Sequence, residues 1–558
     1  MRVHAPDDKA YDVIVVGSGA AGSVAARELG ERGLSVLVLE AGDHVSAPSG
    51  LPPARKPKPG SVELSARIGA TLTGQPLQSR VAFFNAAMKR FLVNDWINPY
   101  HTAGNAPFLW IRGRQVGGRL HVFGRVLFRW SDYDFKGADR RGGAGDWPVS
   151  YADLEPYYEG IERLFGLHGN MDGVETAPDG VMAQPAPFTD GEHAFNQAIK
   201  ARWPERRTIA WRFAPPDRTS LPNALAAAME TGRVTIRPNA IVKEITADPI
   251  TGRATGVSYI DRDTHQPHHV AARAVVLCAS PIESVRLLLN SRSARHPGGI
   301  GNGSGLLGRY FMDQTATLVF ATCPVPKVSA DSGERAQPEA SGGVYIPSYA
   351  HLQAAEGRGI EAGYSFQGSV GRKAAHPSSP GQAASFMIFG EMLPYEDNTV
   401  SLDPHRRDRW GVPVPVIRCA LHENERRGLP RQIEDAVEML EAAGGTVEGW
   451  VSPLGLEERG KGLFPYMNAL SRWLIRKMMP HCMVMGAAIH ESGGARMGSN
   501  PTKSVLNPYN QCWDAPNLFV TDASAFPSSG AMGTTLTVMA LTARACEYLA
   551  QQLKAGIL

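Results

Sequence analysis

The chain has 558 residues, of which 43% are hydrophobic and 20% are charged, as expected for a globular protein with more than one core. Its net charge of +3, with no block of like charges, argues against a nucleic-acid-binding tail. No window approaches the ~18 apolar residues of a membrane-spanning segment. The six cysteines are scattered without a CxxC pair or a His/Cys cluster, which argues against a zinc or other metal site and against a disulfide framework.

The N-terminal stretch MRVHAPDDKAYDVIVVG enters its first strand at once. It has no charged region followed by an apolar core, so we expect no signal peptide. Together with the cysteine pattern, this favours a cytoplasmic protein.

Residues 11–42, YDVIVVGSGAAGSVAARELGERGLSVLVLEAG, read as strand, tight turn, helix and second strand. Residues 13–16 form a short β-branched run, typical of a strand that is buried on both faces. Residues 20–33 are predicted to be helical, and residues 35–39 form the second strand. This alternation indicates the first half of a doubly wound α/β fold.

The turn in this segment predicts a dinucleotide site. In its GxGxxG pattern the first glycine supports the turn, the second lets the backbone approach a pyrophosphate, and the third lets the helix pack on the strand. The helix start offers free N–H groups to the phosphates, and the acid that ends the second strand suits a ribose hydroxyl pair. The residues concerned are Gly17, Gly19, Ala20, Ala21, Gly22 and Glu40. The pattern alone does not choose between FAD and NAD.

Six further segments resemble, in order and spacing, the glucose–methanol–choline (GMC) oxidoreductases, flavoproteins that oxidise alcohols. They lie at residues 114–135, 146–166, 237–248, 274–291, 299–314 and 517–553. The resemblance is nearest to the bacterial sugar and glycoside dehydrogenases and to the pyranose oxidase-like branch. It implies FAD as cofactor and an α/β fold, in which a Rossmann-like FAD-binding domain is joined to an antiparallel-sheet substrate domain, as in p-hydroxybenzoate hydroxylase.

The resemblance also implies domain boundaries and cofactor contacts. We expect residues 1–160, 222–312 and 481–558 to form the FAD-binding domain, and residues 161–221 and 313–480 to form the substrate domain. The glycine-rich segment would lie along the flavin, a valine backbone would meet the adenine, and residues near the C-terminus would meet the ribityl-phosphate and the pyrimidine edge. In that order these residues are Val116, Gly117 and Gly118; Val242; Asp522 and Ala523; Thr534 and Thr535.

Residues 487–498, AAIHESGGARMG, carry the candidate catalytic residue, His490. In the family pattern a histidine followed by two residues and a glycine lies beside the reactive nitrogen of the flavin. Alcohol oxidation sends a hydride to the flavin and leaves a hydroxyl proton, which an imidazole can accept.

The sequence departs from the family pattern in two places. Gly494 stands where a threonine or a similar residue is usual. More important, Gly533 and Thr534 replace a polar residue, Asn or His, and the proline that follows it. Either His490 works alone, or another residue fills the gap, or the reaction is altered; the candidates for the gap are Ser528, Ser529 and His481.

Some relatives attach FAD covalently through a histidine in the glycine-rich segment. Here the attachment position falls on Val122, with His121 one residue away. Because successive side chains of an extended chain point to opposite faces, we expect His121 to point away from the flavin. The FAD is therefore predicted to be non-covalent.

The leading interpretation is an FAD-dependent oxidoreductase that takes a hydroxyl of a carbohydrate, glycoside or similar polyol to a carbonyl. The alternatives are an FAD-binding lyase or isomerase without net oxidation, or an inert FAD-binding partner subunit. The electron acceptor is left open between oxygen, a quinone and a redox protein. In the substrate domain, residues 387–404 and 412–425 are predicted as strands, 427–445 as an amphipathic helix, and 47–60 and 373–384 as loops, the second a candidate lid.

Overall fold

A computed structural model describes residues 11–45, 64–137, 147–215, 221–326, 341–348, 362–373, 376 and 378–558. The N-terminal ten residues and the predicted loop at 47–60 lie outside these residues. So does part of the candidate lid at 373–384.

The strands are β1 (Tyr11–Val16), β2 (Val36–Leu39), β3 (His101–Thr102), β4 (Ile209–Ala210), β5 (Val234–Arg237), β6 (Ala240–Ala247), β7 (Ala254–Asp261), β8 (Pro267–Leu277), β9 (Thr315–Cys323), β10 (Val344–Ile346), β11 (Tyr364–Val370), β12 (Gln382–Gly390), β13 (Thr399–Arg407), β14 (Pro413–Arg418), β15 (Thr446–Ser452), β16 (Gly455–Glu458) and β17 (Leu518–Val520). The helices are α1 (Ala20–Glu31), α2 (Leu64–Leu72), α3 (Asp132–Phe135), α4 (Tyr151–Phe165), α5 (Asp190–Arg202), α6 (Asn223–Glu230), α7 (Pro281–Asn290), α8 (Glu423–Ala442), α9 (Ala469–Met478) and α10 (Thr535–Lys554).

The first sheet has the order β5-β2-β1-β8-β7-β6, with β17 also paired to β8. The strands β5, β2, β1, β8 and β17 run parallel. β2 is buried along its whole length because helices cover both faces of a parallel sheet. The helix α1 packs on α10 and α6. This is the Rossmann-like half that the sequence predicts.

The second sheet is antiparallel, in the order β16-β15-β9-β12-β11-β10-β4. Alternate residues of β12 point to opposite faces. Phe386 and Ile388 enter a core with side chains of α5 and α8, whereas Ser385, Met387 and Phe389 line a cavity on the other face. The predicted combination of a Rossmann-like part and an antiparallel sheet is confirmed, and the domain boundaries stay a prediction.

The helix expected at residues 427–445 differs from the structure at both ends. It starts at Glu423, since the Glu425 carboxylate accepts a hydrogen bond from the backbone N–H of His422 and so holds the first turn. Pro430 lies inside the helix near its start, and the helix ends at Ala442.

Candidate active site

A cavity of about 720 Å³ lies between the carboxyl ends of the parallel strands and the inner face of the antiparallel sheet. Residues at the ends of β1, β2, β8 and β17 line one side of it, and β9, β11 and β12 line the other. In doubly wound folds, ligands bind outside the carboxyl ends of the strands. The location is therefore that of a cofactor site facing a substrate space.

The first glycine turn leaves an open space at one position only. Gly17 has φ of +95°, and a Cβ there would lie 2.6 Å from the carbonyl oxygen of Cys278. A Cβ at Gly22 would lie 1.9 Å from the carbonyl oxygen of Gly17. In contrast, nothing lies within 4 Å of a Cβ built on Gly19. The two outer glycines are needed for packing, and the space over Gly19 fits a pyrophosphate.

Glu40 is held at the end of β2 with its carboxylate facing the cavity. One carboxylate oxygen accepts from the backbone N–H of Ser18 at 3.1 Å and from its hydroxyl at 2.6 Å, and the other accepts from the Gly42 N–H at 3.1 Å. Burial raises the pKa of Glu40. These contacts hold the acid at the cavity wall, and its contact with a ribose stays a prediction.

The glycine-rich segment meets the first turn directly. The backbone N–H of Gly117 donates to the Ser18 hydroxyl at 3.0 Å, and a Cβ at Gly118 would lie 3.0 Å from the Cα atom of Gly19. Val116 is fully buried behind this contact. Gly118 therefore faces the same space as Gly19, while Val116, Gly117 and Gly22 support the wall without lining it.

The local conformation around His121 is not the extended one that we assumed. Residues Gly118–His121 form a 3₁₀ helix. The Nε2 atom of His121 donates to the carbonyl oxygen of Val116 at 2.8 Å, and its ring stacks on Phe91. His121 thus does point away from the cavity, but it does so through this hydrogen bond and stacking. Val122 lines the cavity.

The remaining predicted cofactor residues also line the cavity: Ala20, Ala21, Val242, Asp522, Ala523, Thr534 and Thr535. The Asp522 carboxylate accepts from the hydroxyls of Ser284, at 2.5 Å, and Ser524, at 2.6 Å. Thr534 and Thr535 stand at the start of the 20-residue helix α10, whose N-terminus points free N–H groups toward the cavity.

His490 lines the same cavity as the end of β2 and packs against Phe389, with ring centroids 4.9 Å apart. Its backbone N–H donates to Asp313 at 3.0 Å, and its Nδ1 atom lies 2.7 Å from the Oε1 atom of Gln314. The preceding residue, Ile489, has φ of +61°, a strained conformation for a β-branched residue. The backbone and one ring nitrogen are fixed, and the Nε2 atom faces the cavity side.

The electrostatics around His490 keep its imidazole neutral. Burial, with a smaller effect of the Arg119 charge, lowers the pKa of His490 to about 4. Arg119 is itself paired with the buried Glu491, with 2.9 Å between Nη1 and Oε2. At neutral pH the imidazole is therefore in the form that can accept a proton.

The structure does not bring the three proposed substitutes for the missing polar residue to His490. Ser528 is fully buried and its hydroxyl accepts from Trp147. Ser529 is also buried, with its hydroxyl bonded to the Met392 backbone. His481 is exposed at the end of a short 3₁₀ helix. A Cβ on Gly533 would lie 3.9 Å from Nε2 of His490, so the gap is real.

Two functional residues were missed from the sequence, Asp313 and Gln314. Both are fully or almost fully buried just before β9. The signal in the sequence was a pair of polar residues directly ahead of an apolar strand. Asp313 accepts the backbone N–H groups of Gly486 and His490. Burial and the neighbouring Glu491 raise the pKa of Asp313 to about 7.

These features agree with matches to known proteins. A GMC oxidoreductase family profile matches residues 394–542, and an NAD(P)-binding Rossmann-like profile matches residues 15–71. The chain is 28% identical to 2-methyl-1,2-propanediol dehydrogenase of Mycolicibacterium austroafricanum, over 97% of this chain and 95% of the relative. It is 25% identical to the fructose dehydrogenase large subunit of Gluconobacter japonicus, over 98% of each chain.

The chain resembles the GMC oxidoreductases, as the sequence predicts. The enzyme class predicted from the sequence, an FAD-dependent oxidoreductase acting on CH–OH donors, is confirmed by the matched profile and the relatives. The matches favour this class over the lyase, isomerase and inert-subunit alternatives. The fold of this chain is also shared with formate oxidase of Aspergillus oryzae RIB40, with a TM-score of 0.64 at 16% identity, over 99% of this chain and 100% of that one.

Three further observations concern the described part of the chain. No helix there is long and apolar enough to cross a bilayer. No group of three or more His, Cys, Asp or Glu side chains there is arranged to hold a metal ion. All six cysteines lie within it, and each is buried as a free thiol.

Proposed function

We propose that this protein oxidises a hydroxyl group of a carbohydrate, glycoside or similar polyol to a carbonyl, with His490 as the acceptor of the hydroxyl proton. The observation that carries the proposal is the shared cavity, in which the open space over Gly19 and the Nε2 atom of His490 both face one continuous volume. The residues before β9 and the neutral state of the imidazole support the same role.

The cavity walls fit FAD. Gly17, Gly19 and Gly118 would receive the pyrophosphate, Glu40 the ribose, and the backbone at Val242 the adenine. The N-terminus of α10, at Thr534 and Thr535, would face the pyrimidine end, where its N–H groups favour negative charge. Bound FAD supplies the two-electron oxidant that removes the carbon-bound hydrogen as hydride. Because Val122 cannot form the attachment bond, we propose that FAD is held without a covalent link.

His490 acts on the substrate hydroxyl through its Nε2 atom. The O–H bond breaks, its proton forms a bond to Nε2, and the electron pair stays on oxygen, from which it forms the carbonyl. A neutral imidazole is required for this step, and burial provides it. Phe389 beside the ring excludes water from one side.

The far side of the cavity supports a substrate with several hydroxyl groups. Gln367 and Ser369 of β11 face it, and in the described part of the chain neither side chain has a hydrogen-bond partner. Lys373 donates to the Ser385 hydroxyl at 3.4 Å. Leu318 and Met387 form the apolar part of the same wall. Polar groups mixed with apolar surface are what a sugar ring needs, and the fructose-oxidising relative agrees with this class.

The domain organisation proposed with this function keeps the boundaries given above. Residues 1–160, 222–312 and 481–558 hold the cofactor, and residues 161–221 and 313–480 cover it. The electron acceptor, whether oxygen, a quinone or a redox protein, is not part of the proposal.

An anaerobic bleaching screen tests the proposal. Purified holoenzyme is mixed without oxygen with sorbitol, glycerol, fructose, glucose and a methyl glucoside, and the loss of flavin absorbance is followed. We expect bleaching by at least one polyol or sugar, with stoichiometric carbonyl product. In His490→Ala the flavin should stay bound and the rate should fall by about 10²- to 10⁴-fold, the usual effect of a positioned acid–base group. A wild-type rate in His490→Ala would show that this residue is structural.

A further inference from the structure

The side-chain amide of Gln314 is fixed in one orientation. Its Nε2 atom donates to two backbone carbonyl oxygens, of Ser529 at 2.9 Å and of Met532 at 2.8 Å. Turning the amide by 180° would place its oxygen against these two acceptors with no hydrogen between them. The Oε1 atom therefore faces His490.

This orientation decides which nitrogen of His490 carries the proton. The Nδ1 atom lies 2.7 Å from the Gln314 oxygen, which can only accept. Nδ1 must then be the donor, and a neutral imidazole has only one N–H. The Nε2 atom keeps a lone pair and points to the side of Gly533, where a Cβ would lie 3.9 Å away.

We propose that Gln314 is a positioning residue, which selects the tautomer of His490 with a free lone pair on Nε2 and aims that lone pair at the substrate hydroxyl. The inference rests on the proposed role of His490 as proton acceptor. It goes further by naming the group that prepares the acceptor, and by giving it a reason to be an amide.

An amide differs from a carboxylate in this position. A carboxylate that accepts from Nδ1 would favour the imidazolium, which cannot take a proton from substrate. The neutral Gln314 oxygen orients the ring without adding charge. The Gln314 amide also connects two parts of the site. Its nitrogen donates to the backbone of residues 529 and 532, which precede α10, and its oxygen accepts from the imidazole of His490.

The test uses four holoenzyme variants. Gln314→Met keeps the volume and removes the acceptor; Gln314→Glu keeps an acceptor oxygen but replaces the donating nitrogen with a second oxygen; His490→Ala removes the imidazole. Gln432→Met is the matched control, since this glutamine is also buried, at 4% against 1% exposed, but lies on α8, which packs on the face of the sheet opposite the cavity. Flavin content and the limiting rate of anaerobic flavin reduction are measured from pH 5 to 10, with the best substrate of the bleaching screen.

In Gln314→Met we expect flavin content to be retained and the limiting rate at pH 7 to fall by about 10²-fold, the scale of a misplaced catalytic group. The rate should rise with pH, because hydroxide must replace the misaligned base, whereas the wild-type rate is flat. Gln314→Glu should not restore the rate at pH 7, since its second carboxylate oxygen would face the Ser529 and Met532 carbonyl oxygens without a hydrogen and its charge would favour the imidazolium. Gln432→Met should keep the wild-type pH profile.

A second readout does not depend on turnover. In protein labelled with ¹³C and ¹⁵N histidine, the ring signals of His490, assigned by their loss in His490→Ala, report the tautomer at pH 7.5. We expect the Nδ1–H form alone in wild type and a mixture of tautomers in Gln314→Met. A single Nδ1–H form with the wild-type rate profile in Gln314→Met would overturn the inference. So would a Gln314→Glu enzyme with the wild-type rate at pH 7, because the amide would then have no role.

The outcomes separate this inference from the proposed function. If His490→Ala reduces its flavin at the wild-type rate, the proton-acceptor role fails, and the catalytic part of the inference fails with it. If His490→Ala is slow while Gln314→Met keeps the wild-type rate and ring signals, only the role of Gln314 is wrong.

Discussion

A Cβ atom on Gly533 would lie 3.9 Å from the Nε2 atom of His490 and 3.6 Å from the carbonyl oxygen of Val126. Both are ordinary contact distances, so a side chain can be accommodated there. The glycine thus leaves room beside the one ring nitrogen that is free to meet a substrate. We expect this space to accommodate the substituents on the carbon that carries the reacting hydroxyl.

Filling this room should change which alcohols are oxidised. We expect Gly533→Asn to fold and to bind FAD, because the backbone there is not in a glycine-only conformation and the added atoms meet no clash. The amide should narrow the space and lower the rate for a methyl glucoside relative to glycerol by about tenfold, a difference of about 1.4 kcal/mol. The ratio of the two rates of flavin reduction is the measurement, with Gly533→Ala as the smaller control. An unchanged ratio would contradict the assignment of this space to the substrate.

The proposed pyrophosphate site over Gly19 can be tested without turnover. Gly19→Val should fold, since nothing lies within 4 Å of the new Cβ, but the side chain should occupy the space for the pyrophosphate and yield colourless protein. Gly160→Val is a matched control: it also meets nothing within 4 Å, but it lies on the exposed side of α4, away from the cavity. Absorbance at 450 nm per protein, with circular dichroism to check folding, decides the outcome. A folded, yellow Gly19→Val protein would contradict the assignment of the pyrophosphate site to the space over Gly19.

The pH dependence of flavin reduction should show the lowered pKa of His490. A histidine with an ordinary pKa would lose its base form as the pH falls through about 6.5. Because burial lowers the pKa of His490 to about 4, the neutral imidazole persists and the rate should stay close to its maximum at pH 5.5. It should fall as the pH drops toward 4. Stopped-flow reduction between pH 4 and 8 checks this, and a midpoint near 6.5 would disagree with it.

Unfolding should release the flavin. The Nε2 atom of His121 is engaged with the Val116 carbonyl, and Val122 at the cavity wall offers no bonding atom. After acid precipitation we therefore expect free FAD in the supernatant and a colourless pellet. Flavin fluorescence that stays with the polypeptide on a denaturing gel would show a covalent link.

The β1–α1–β2 unit could be predicted from the sequence to within two residues, because its signals are local. Glycine spacing, a β-branched run and a terminal acid all lie within about thirty residues. In contrast, the extended conformation assumed around His121 was wrong, since a 3₁₀ helix there depends on contacts with Phe91 and Val116.

The setting of His490 could not be predicted from its own motif. The imidazole is oriented by Gln314, which is 176 positions earlier in the chain, and no local pattern links the two. Likewise, Ser528 and Ser529 looked available beside Gly533. Their hydroxyls are taken by Trp147 and Met392, residues that only the folded chain brings near.

The pairing of β17 with β8 has a consequence for biosynthesis. β17 lies at residues 518–520 and extends the first sheet beside β8, and α10, which ends at Lys554, packs on α1. A nascent chain on the ribosome can form the early glycine turn. It still lacks β17 and α10, which complete the wall of the cavity. Capture of FAD must therefore follow synthesis of residues 518–554, and until then the cavity lacks this part of its wall.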